Sequence, residues 1–505
     1  MLPSKVPGTG TSVSGPFNTL RDYVAFLESR GHLMRVPEID QDNYEGTALM
    51  YRLIDEYGYL ESPALLFERI KINGEWMQGP VLANLFGPQD IESELFGVDT
   101  AGLSKRDARR AGIDRIMQSL EGPRQWRRIP PTVVSSDAAL CKEIVLTDDK
   151  INLLKYPWFR NQPADVGQYV NMAGVIMQDE ELGKNVGLYR CQVKGERKIA
   201  VSPEAGQHGW LILDGKTRRG EKVADVALAL GTDPLTFSIF PTKMAPFGVD
   251  EFEVAGGLMG KPLELVKCET SDLLVPANAE MIIEGEVRLD DFEKEGPYGE
   301  MFGYIGRAHE QAWYMNVKAI TQRKDPWLVN SFTGVSCDAP GLTFNASDHF
   351  QFLPMIPNLV DMNLMANVVG VVIASIDKKM PGDGMSAGMK IAADHIVAKV
   401  IIIVDKDVDV CDLEDVVRAL SSRWQPWPAS NIVKGTTSPG AYLDPSAPVR
   451  GFTSKIVIDA TRQFPAEGGP EKLEPVTRAL FKQDCGDAFE LVNRNWESYL
   501  AGWDR

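Results

Sequence analysis

Two nearly continuous apolar runs in the last third of the chain restrict the fold most. They are Asn367–Ile376 (NVVGVVIASI) and Val400–Val404 (VIIIV). Between them the sequence predicts a glycine-rich loop over Met380–Gly388 and a helix over Met389–Lys399. Continuous apolar strands are typical of a sheet that is covered on both faces. A strand, a helix and a second strand in this order predict a parallel βαβ unit, and therefore an α/β domain.

Short β-rich runs fill the region from about residue 132 to residue 320, separated by Gly, Pro and Asp turns. The segments predicted as strands are Glu143–Leu146, Tyr169–Met177, Lys198–Val201, Leu235–Phe240, Glu280–Leu289 and Ala312–Ala319. One insert, Val223–Leu230, has a helical pattern. Several short strands with turn signals between them predict an antiparallel sheet or a barrel.

Helices and strands alternate before residue 130. Thr19 is expected to cap a first helix that ends at Gly31. The later elements are predicted as helices over Gly46–Tyr57 and Ser104–Leu120 and as strands over Ala64–Ile70 and Val81–Leu85. This order predicts a small α/β domain.

These changes in pattern predict four segments in the 505-residue chain. They are an N-terminal α/β domain over residues 1–130, a central β domain over 131–322, a C-terminal α/β domain over 323–475 and a tail over 476–505. The tail is aromatic and amphipathic over Phe489–Trp503. Because two tryptophans left in water are unfavourable, we expect the tail to pack against a second subunit in a homodimer or higher homo-oligomer.

Charge and composition exclude several classes of protein. A net charge of −17 argues against a surface for nucleic acid or for anionic membranes. No apolar run approaches the roughly 18 residues of a membrane helix, and the N-terminus has no apolar core like that of a signal peptide. The six cysteines form no CxxC pair, which predicts buried, reduced thiols. We therefore expect a soluble, cytoplasmic protein.

The densest polar feature of the central region is the acidic run Asp290–Gly303, which follows the apolar segment Met281–Gly285. Within it, Gly-Pro-Tyr-Gly separates Glu295 from Glu300 and predicts a turn. Such a turn brings two carboxylates to one side of a cavity. Taken alone, the run is more typical of a solvated acidic hairpin.

Three further polar positions are candidates for a metal site. Asn185, His208 and Glu251 offer an amide oxygen, an imidazole and a carboxylate, which suit Mg²⁺ or Mn²⁺. Their spacing matches no local metal motif, and a lone histidine is more often structural. Arg190 follows Asn185 by five residues, and a regular strand places the two on opposite faces. A surface ion pair is the common alternative for Arg190.

Several motifs in the same order closely resemble the UbiD decarboxylase family. They are Gly257–Ala279 (which contains PLELVKCETSDLLVPA), Glu295-Gly-Pro-Tyr-Gly-Glu300, Ile403–Val410 (IVDKDVDV) and Ser421-Ser-Arg423. The resemblance spans about residues 20 to 465. It implies that the central domain is a split β-barrel that binds flavin, between two α/β domains and a C-terminal helix for oligomerisation.

The resemblance also implies the ligands and the site residues. The cofactor is prenylated FMN, with Mn²⁺ or Mg²⁺ and K⁺ at its phosphate, and a flavin prenyltransferase supplies it. Asn185, His208 and Glu251 correspond to the metal ligands, and Arg190, Glu295 and Glu300 to the catalytic set. The residues implied in cofactor binding are Asn185, Tyr189, Arg190, Gln207, His208, Glu251 and, as the nearest candidate for the phosphate-contacting lysine, Lys390.

The implied reaction is reversible, non-oxidative decarboxylation of an aromatic, heteroaromatic or α,β-unsaturated acid. After CO₂ leaves, a proton must reach the same carbon, and Glu300 is the predicted donor. That role needs a raised pKa, which burial beside a second carboxylate produces. Arg190 is expected either to hold the substrate carboxylate or to pair with Glu295, which leaves Glu295 ionised.

Other functions stay open at this point. One alternative is an ordinary FMN-dependent oxidoreductase, but that function would leave the paired glutamates without a role. A second alternative is a non-catalytic assembly protein, for which Glu300→Gln would have no biochemical effect. The reverse carboxylation is a third possibility. The substrate is expected to be a small flat aromatic or heteroaromatic acid, chosen by pocket residues around Asn330–Asp348, His395 and Val449–Thr453.

Overall fold

The computed structural model describes residues 14–337, 340–365, 368–437, 439–473 and 478–501. The chain divides into two compact units. The larger unit comprises Met1–Gln351, Ala366–Val369 and Thr437–Thr453. The smaller unit comprises Phe352–Met365, Gly370–Thr436 and Ser454–Arg505. Both contain helices and sheets, which confirms the predicted α/β class.

The larger unit begins with a four-stranded sheet and the helices around it. The strands lie in the order Leu33–Asp40, Ala64–Ile72, Glu75–Ala83 and Leu328–Asn330. The helices are Leu20–Ser29, Glu45–Tyr57 and Lys105–Met117. Thr19 caps the first helix by accepting from the backbone N of Asp22, as predicted. Leu33–Asp40 was missed because this edge strand is mostly exposed and contains Pro37, a pattern that does not resemble a buried strand.

A ten-stranded antiparallel sheet forms the centre of the larger unit. Its longest strand, His309–Gln322, pairs with four others. This sheet confirms the antiparallel arrangement expected for the central region. In chain order its strands are Ile144–Thr147, Tyr169–Val170, Ala173–Asp179, Gly183–Leu188, Cys191–Gly195, Lys198–Val201, Val223–Leu230, Met281–Arg288, Glu293–Glu295 and His309–Gln322.

Two neighbouring predictions were wrong in opposite directions. Val223–Leu230, predicted as a helix, is a central strand that is paired on both edges. Its three alanines favour a helix, and its continuous burial after Val226 hides the alternation of a strand. Leu235–Phe240, predicted as a strand, lies mostly in the helix Pro234–Ile239. Asp233 caps this helix by accepting from the backbone N of Thr236 at 2.8 Å.

Smaller elements complete the larger unit. Its other helices are His208–Arg218, Glu251–Met259 and Gly341–Phe352. A three-stranded sheet joins Leu274–Pro276, Glu264–Lys267 and Thr132–Val133. The two-stranded pairs are Tyr298–Gly299 with Ile305–Gly306, and Leu120–Gly122 with Gln125–Trp126.

The smaller unit has a five-stranded sheet. Its order is Leu359–Leu364, Val371–Ile376, Val400–Asp405, Thr453–Asp459 and Ser430–Thr436. Val371–Ile376 and Val400–Asp405 pair in parallel, which confirms the predicted βαβ unit. Asn367, at the start of the predicted first strand, lies outside the described residues.

The helix of the βαβ unit begins earlier than predicted. It runs over Asp383–Asp394, so much of the predicted loop Met380–Gly388 is helical. The glycines serve close packing here, because a Cβ at Gly384 would meet the carboxylate of Asp459 and one at Gly388 would meet Val457. A second helix, Leu413–Ser422, follows the sheet strand Val400–Asp405.

The C-terminal stretch forms the short helices Arg478–Asp484, Gly486–Arg494 and Trp496–Leu500. Trp496 and Tyr499 are 52% and 55% exposed, while Trp503 lies outside the described residues. A subunit contact through this face stays a prediction.

The cysteines are all free. Four of them are buried as predicted, but Cys411 and Cys485 are exposed, so the prediction of burial was wrong for these two. Within the described part of the chain, no helix combines the length and the apolar character needed to cross a membrane.

Because residues 223–230 form a central strand, truncating a buried side chain there should destabilise the protein. Leu228 is 0% exposed, so Leu228→Ala should lower the free energy of unfolding by about 2–5 kcal/mol. Chemical denaturation of the full chain measures this change. Val223→Ala is the matched control, because Val223 is 42% exposed on the same strand. An equal, small effect of both substitutions would contradict a buried central strand.

Candidate active site

Arg190, Glu295 and Glu300 meet in the interior of the larger unit. Arg190 lies between the strands Gly183–Leu188 and Cys191–Gly195. Its Nε donates to Glu295 Oε1 at 3.1 Å and its Nη2 to Glu295 Oε2 at 2.9 Å. Its Nη1 donates to Glu300 Oε1. The guanidinium therefore joins both carboxylates that the sequence singled out.

Asp290 and Asp291 at the start of the acidic run are exposed, but Glu295 and Glu300 are buried, so the interpretation as a solvated hairpin was wrong for these two carboxylates. Glu295 is 1% exposed and Glu300 is 6% exposed. Glu295 ends a short strand that pairs with His309–Gln322, and the chain then turns at Gly296, whose φ of 81° favours glycine. Gly306 makes room for Glu300, because a Cβ there would overlap the Glu300 side chain.

Two tyrosines that the sequence did not single out support this cluster. Tyr169 donates its hydroxyl to Glu295 Oε1 at 2.9 Å. The guanidinium carbon of Arg190 lies 5.6 Å from the ring centroid of Tyr298, within the range of a cation–π contact. Asn171 Nδ2 in turn donates to the Tyr298 hydroxyl at 2.9 Å. Tyr169 thus holds Glu295 by a hydrogen bond, and Tyr298 packs against the guanidinium of Arg190.

A third carboxylate, Glu204, lines the same cavity as Glu300 and interacts electrostatically with Glu300 and Arg190. Arg450 Nη2 donates to both oxygens of Glu204 at 2.8 Å. His309 Nε2 lies 2.9 Å from Glu204 Oε1. The only local signal for Glu204 was its place three residues before Gln207. Its partners come from distant parts of the sequence, so spacing did not reveal them.

The charges in this cluster separate the pKa values of the carboxyl groups. Burial raises the pKa of Glu300 to about 7, helped by the negative charges of Glu204 and Glu295 and opposed by Arg190. Burial also acts to raise the pKa of Glu295, but the charge and hydrogen bonds of Arg190 bring it below its ordinary value. Near neutral pH this geometry keeps Glu295 ionised and lets Glu300 exchange a proton.

Glu204 is also held ionised. Burial acts to raise its pKa, but the His309 contact and the charge of Arg450 lower it below the ordinary value. Burial raises the pKa of Tyr169 well above the usual range, so its hydroxyl stays a donor. The cluster thus combines fixed negative charge with one carboxyl group that titrates near neutrality.

Hydrogen bonds to backbone groups next to Asn185 and His208 link the three predicted metal ligands. Asn185 Nδ2 donates to the Tyr189 hydroxyl at 3.2 Å, and the same hydroxyl accepts from the backbone N of Gly209 at 3.0 Å, next to His208. Glu251 Oε2 accepts from the backbone N of Val186, next to Asn185, at 3.0 Å. Tyr189 therefore connects Asn185 with the start of the His208 helix, and the backbone of Val186 connects Glu251 with Asn185. Gln207, the residue before the helix of His208, accepts from the backbone N of Glu204 at 2.6 Å through its Oε1.

Lys243 is a cation beside the predicted metal ligands that the sequence did not single out. It interacts electrostatically with both His208 and Glu251. Burial lowers the pKa of Lys243, although Glu251 acts to raise it. Burial raises the pKa of Glu251 to about 8, and burial together with Lys243 lowers the pKa of His208 to about 4. A half-buried lysine beside a histidine and a carboxylate suits an anion held together with a cation.

Two predicted features at this end have no direct support from the geometry. Among the described residues, no group of three or more His, Cys, Asp or Glu side chains is arranged for a metal. The predicted metal ligands include one histidine and one glutamate, and the third ligand, Asn185, is an amide. These three residues would therefore not form such a group. Lys390 lies in the smaller unit, and its Nζ donates to the carbonyl of Met355 at 2.8 Å. Its contact with a phosphate stays a prediction.

The chain matches three models of one family. They are the N-terminal, Rift-related and C-terminal domains of 3-octaprenyl-4-hydroxybenzoate carboxy-lyase (UbiD), over residues 24–109, 132–336 and 344–460. An uncharacterised protein of Archaeoglobus fulgidus is 31% identical over 465 residues, which cover 90% of this chain and 93% of that protein.

Solved structures agree with these matches. The closed form of vanillic acid decarboxylase from Sedimentibacter hydroxybenzoicus is similar, with a TM-score of 0.81 and 26% identity over 95% of this chain and 99% of that one. The UbiD-class enzyme HmfF from Pelotomaculum thermopropionicum, in complex with FMN, has a TM-score of 0.75 and 30% identity over 91% and 97%. An evolved dimeric form of HmfF with prFMN has a TM-score of 0.73 and 27% identity over 94% and 100%.

The proximity of Glu204 to Glu300 can be tested by titration. Glu204→Gln removes a negative charge that raises the pKa of Glu300, so that pKa should fall below about 7. Infrared difference spectroscopy of the carboxyl stretch against pH measures it. Glu293→Gln is a matched control, because Glu293 pairs with Lys194 and Lys198 instead. An unchanged or raised pKa after Glu204→Gln would show that the two carboxylates do not interact.

Proposed function

The chain belongs to the UbiD family and is a carboxy-lyase, and from that premise we propose that it decarboxylates a small aromatic or heteroaromatic acid with Glu300 as proton donor. The observation that carries this proposal is the buried contact of one guanidinium with two carboxylates of separated pKa values. Prenylated FMN is the proposed cofactor, since HmfF is similar to this chain and binds FMN and, in its evolved form, prFMN.

Removal of CO₂ from an sp² carbon leaves an electron pair that the substrate stabilises poorly. When bound, the prenylated flavin supplies the electron sink for that step. The protein must then deliver a proton to the same carbon. Glu300 fits this role, because its carboxyl group is protonated in a large fraction of molecules near pH 7 and it lines a cavity.

Arg190 has two candidate roles, and its contacts favour one of them. Nε and Nη2 are committed to Glu295, and Nη1 is committed to Glu300. Two N–H groups, one on Nη1 and one on Nη2, remain beyond these contacts. Because all three nitrogens already donate to Glu295 or Glu300, we assign Arg190 first to holding Glu295 ionised and Glu300 in place. Glu295 in turn keeps the pKa of Glu300 raised through its own charge.

The phosphate end of the cofactor would lie at the Asn185, His208 and Glu251 group. Nδ2 of Asn185 is engaged with Tyr189, which leaves its carbonyl oxygen for a cation. With the His208 ring and the Glu251 carboxylate, that oxygen suits Mn²⁺ or Mg²⁺, and K⁺ would add further positive charge. Lys243 would contribute a cation to the same phosphate. A phosphate beside Glu251 needs such positive charges in an acidic protein.

The alternatives explain less of the site. An ordinary FMN-dependent oxidoreductase gives no role to a buried Arg-Glu-Glu cluster, and a purely structural protein gains little from burying two carboxylates on one arginine.

We further propose that a flavin prenyltransferase supplies the cofactor and that the chain forms a homo-oligomer. The dimeric form of HmfF supports the second point. The net direction of the reaction depends on the CO₂ concentration.

Replacement of Glu300 tests the proton donor. Glu300→Gln keeps the size of the side chain and removes the acid, so kcat for CO₂ release should fall by about 10²–10⁴-fold. The assay uses protein co-expressed with a flavin prenyltransferase and a panel of aromatic acids. Glu293→Gln, outside the cluster, should leave kcat within twofold. Equal activity of Glu300→Gln and the parent chain would exclude Glu300 as the donor.

The pH profile provides a second test. Glu300 must be protonated to donate, so kcat should be maximal below its pKa and fall as the pH rises through about 7. Glu295 must be ionised, and its lowered pKa places the loss of activity on the acidic side below its ordinary value. Steady-state kcat against pH shows both limbs. A kcat that stays constant well above pH 7 would contradict the assignment.

A further inference from the structure

Glu300 lies in a hairpin that is separate from the ten-stranded sheet. The strands of this hairpin, Tyr298–Gly299 and Ile305–Gly306, form a two-stranded sheet of their own. Its turn is closed by two backbone hydrogen bonds of 2.9 Å, from Glu300 N to the Tyr304 carbonyl and from Gly303 N to the Glu300 carbonyl. These bonds shape the hairpin, but they do not fix its place in the larger unit. Other contacts must do so.

The loop of residues 161–166 holds this hairpin from one side. Val166 N donates to the carbonyl of Pro297 at 3.0 Å. Gly299 N donates to Asp165 Oδ1 at 2.8 Å, and Gly299 is the residue immediately before the proposed proton donor. The loop and the hairpin are therefore joined by two hydrogen bonds, one of which needs a side chain.

Asp165 is a buried carboxylate, 1% exposed, whose hydrogen-bond partners are backbone amides. Its Oδ2 accepts from the backbone N of Asn161 at 3.1 Å and of Gln162 at 2.9 Å. Arg160 contributes charge, but its Nε donates to the backbone carbonyl of Asp165 and not to the carboxylate. Burial raises the pKa of Asp165, although these amides and Arg160 act to lower it.

The two oxygens of Asp165 serve two different segments. Oδ2 closes the loop in which Asp165 itself lies, and Oδ1 reaches the hairpin. An asparagine closes such a loop with its one acceptor oxygen, but its amide nitrogen would then face the N–H of Gly299, donor against donor. The loop therefore does not need the second oxygen, whereas the hairpin does. A buried carboxylate is costly, and this second acceptor gives a reason for it.

Small shifts of the hairpin matter because Glu300 is tightly enclosed. A Cβ on Gly306 would lie 2.5 Å from Glu300 Cγ, and a Cβ on Gly334 would lie 2.5 Å from the Glu300 carbonyl oxygen. The Glu300 carboxyl group also accepts from Arg190. A displaced hairpin would carry this carboxyl group away from the carbon that receives the proton. A displacement of about 1 Å can lower a catalytic rate by about 10²-fold.

We propose that Asp165 is a positioning residue, which holds Glu300 where it can donate its proton by accepting the N–H of Gly299. This inference rests on the proposed decarboxylation and adds a residue to that site. Asp165 acts through the backbone of the hairpin, and the proton still comes from Glu300.

Hydrogen–deuterium exchange measures the anchoring, in the full-length chain co-expressed with a flavin prenyltransferase. Asp165→Asn should speed exchange in peptides of residues 296–306 by about tenfold, because the hairpin opens more often. Peptides of the strand His309–Gln322 should keep the rate of the parent chain, which shows that the variant is folded.

Asp233→Asn is the matched control. Asp233 is also 1% exposed, and it accepts from the backbone N of Thr236 at 2.8 Å and from Asn278 Nδ2 at 3.1 Å, outside the hairpin. This substitution should leave the exchange of residues 296–306 unchanged.

Steady-state kinetics measure the consequence for proton donation. Asp165→Asn should lower kcat for CO₂ release by about 10–100-fold and leave KM within about threefold, because proton delivery is affected and substrate binding is not. In the Glu300→Gln background the same substitution should lower kcat by about threefold or less, because both changes impair the same step. A purely structural role of Asp165 would instead give equal losses in both backgrounds.

The outcomes distinguish this inference from the proposed function. Unchanged exchange of residues 296–306, an unchanged kcat, a rise in KM as large as the fall in kcat, or equal losses with and without Glu300 would overturn the role of Asp165. The decarboxylase would stand in each of these cases if the parent chain releases CO₂. Faster exchange of the hairpin in Asp165→Asn, without CO₂ release from any acid by the parent chain, would reject the decarboxylase and retain Asp165 as the anchor of the hairpin.

Discussion

The contact of Arg190 with Glu295 and Glu300 is the interaction on which the rest of the site depends. Two carboxylates buried this deeply repel each other, and both would be neutral without a cation between them. The guanidinium has enough donors to bind one carboxylate through two nitrogens and the other through the third. The asymmetry of these contacts makes one carboxylate a permanent anion and leaves the other able to carry a proton.

The surrounding charges adjust this pair. Glu204 adds a third negative charge, which Arg450 partly balances and which lies 2.9 Å from His309 Nε2. Burial and the charges of Glu204 and Glu295 raise the pKa of Glu300, whereas Arg190 and Arg450 lower it, and the result is a pKa of about 7. The same Arg450 that balances Glu204 lines the cavity beside Glu300. A ligand that contacts Arg450 would therefore also change the electrostatics of Glu300.

Strand pairing positions the backbone that carries these groups. Glu295 and His309 are register partners on neighbouring strands, and Arg190 lies between two further strands of the same ten-stranded sheet. Glu300 sits in a hairpin where glycine at position 306 leaves space for its side chain. Strand pairing thus sets the separation of the three charged groups, as a scaffold for proton transfer requires.

The sequence by itself determined the fold class, the βαβ unit, the antiparallel central sheet and the family, because apolar periodicity and motif order are local properties. It placed residues 223–230 and 235–240 in the wrong elements, since burial on both faces and a helix cap override local propensity. It named Arg190, Glu295 and Glu300 through the resemblance, but their spacing alone favoured a solvated turn. Only the tertiary structure decided that this turn is buried and that Glu204, His309 and Arg450 surround it. These residues are far apart in the chain, and the electrostatics of a buried charge depend on neighbours in space rather than in sequence.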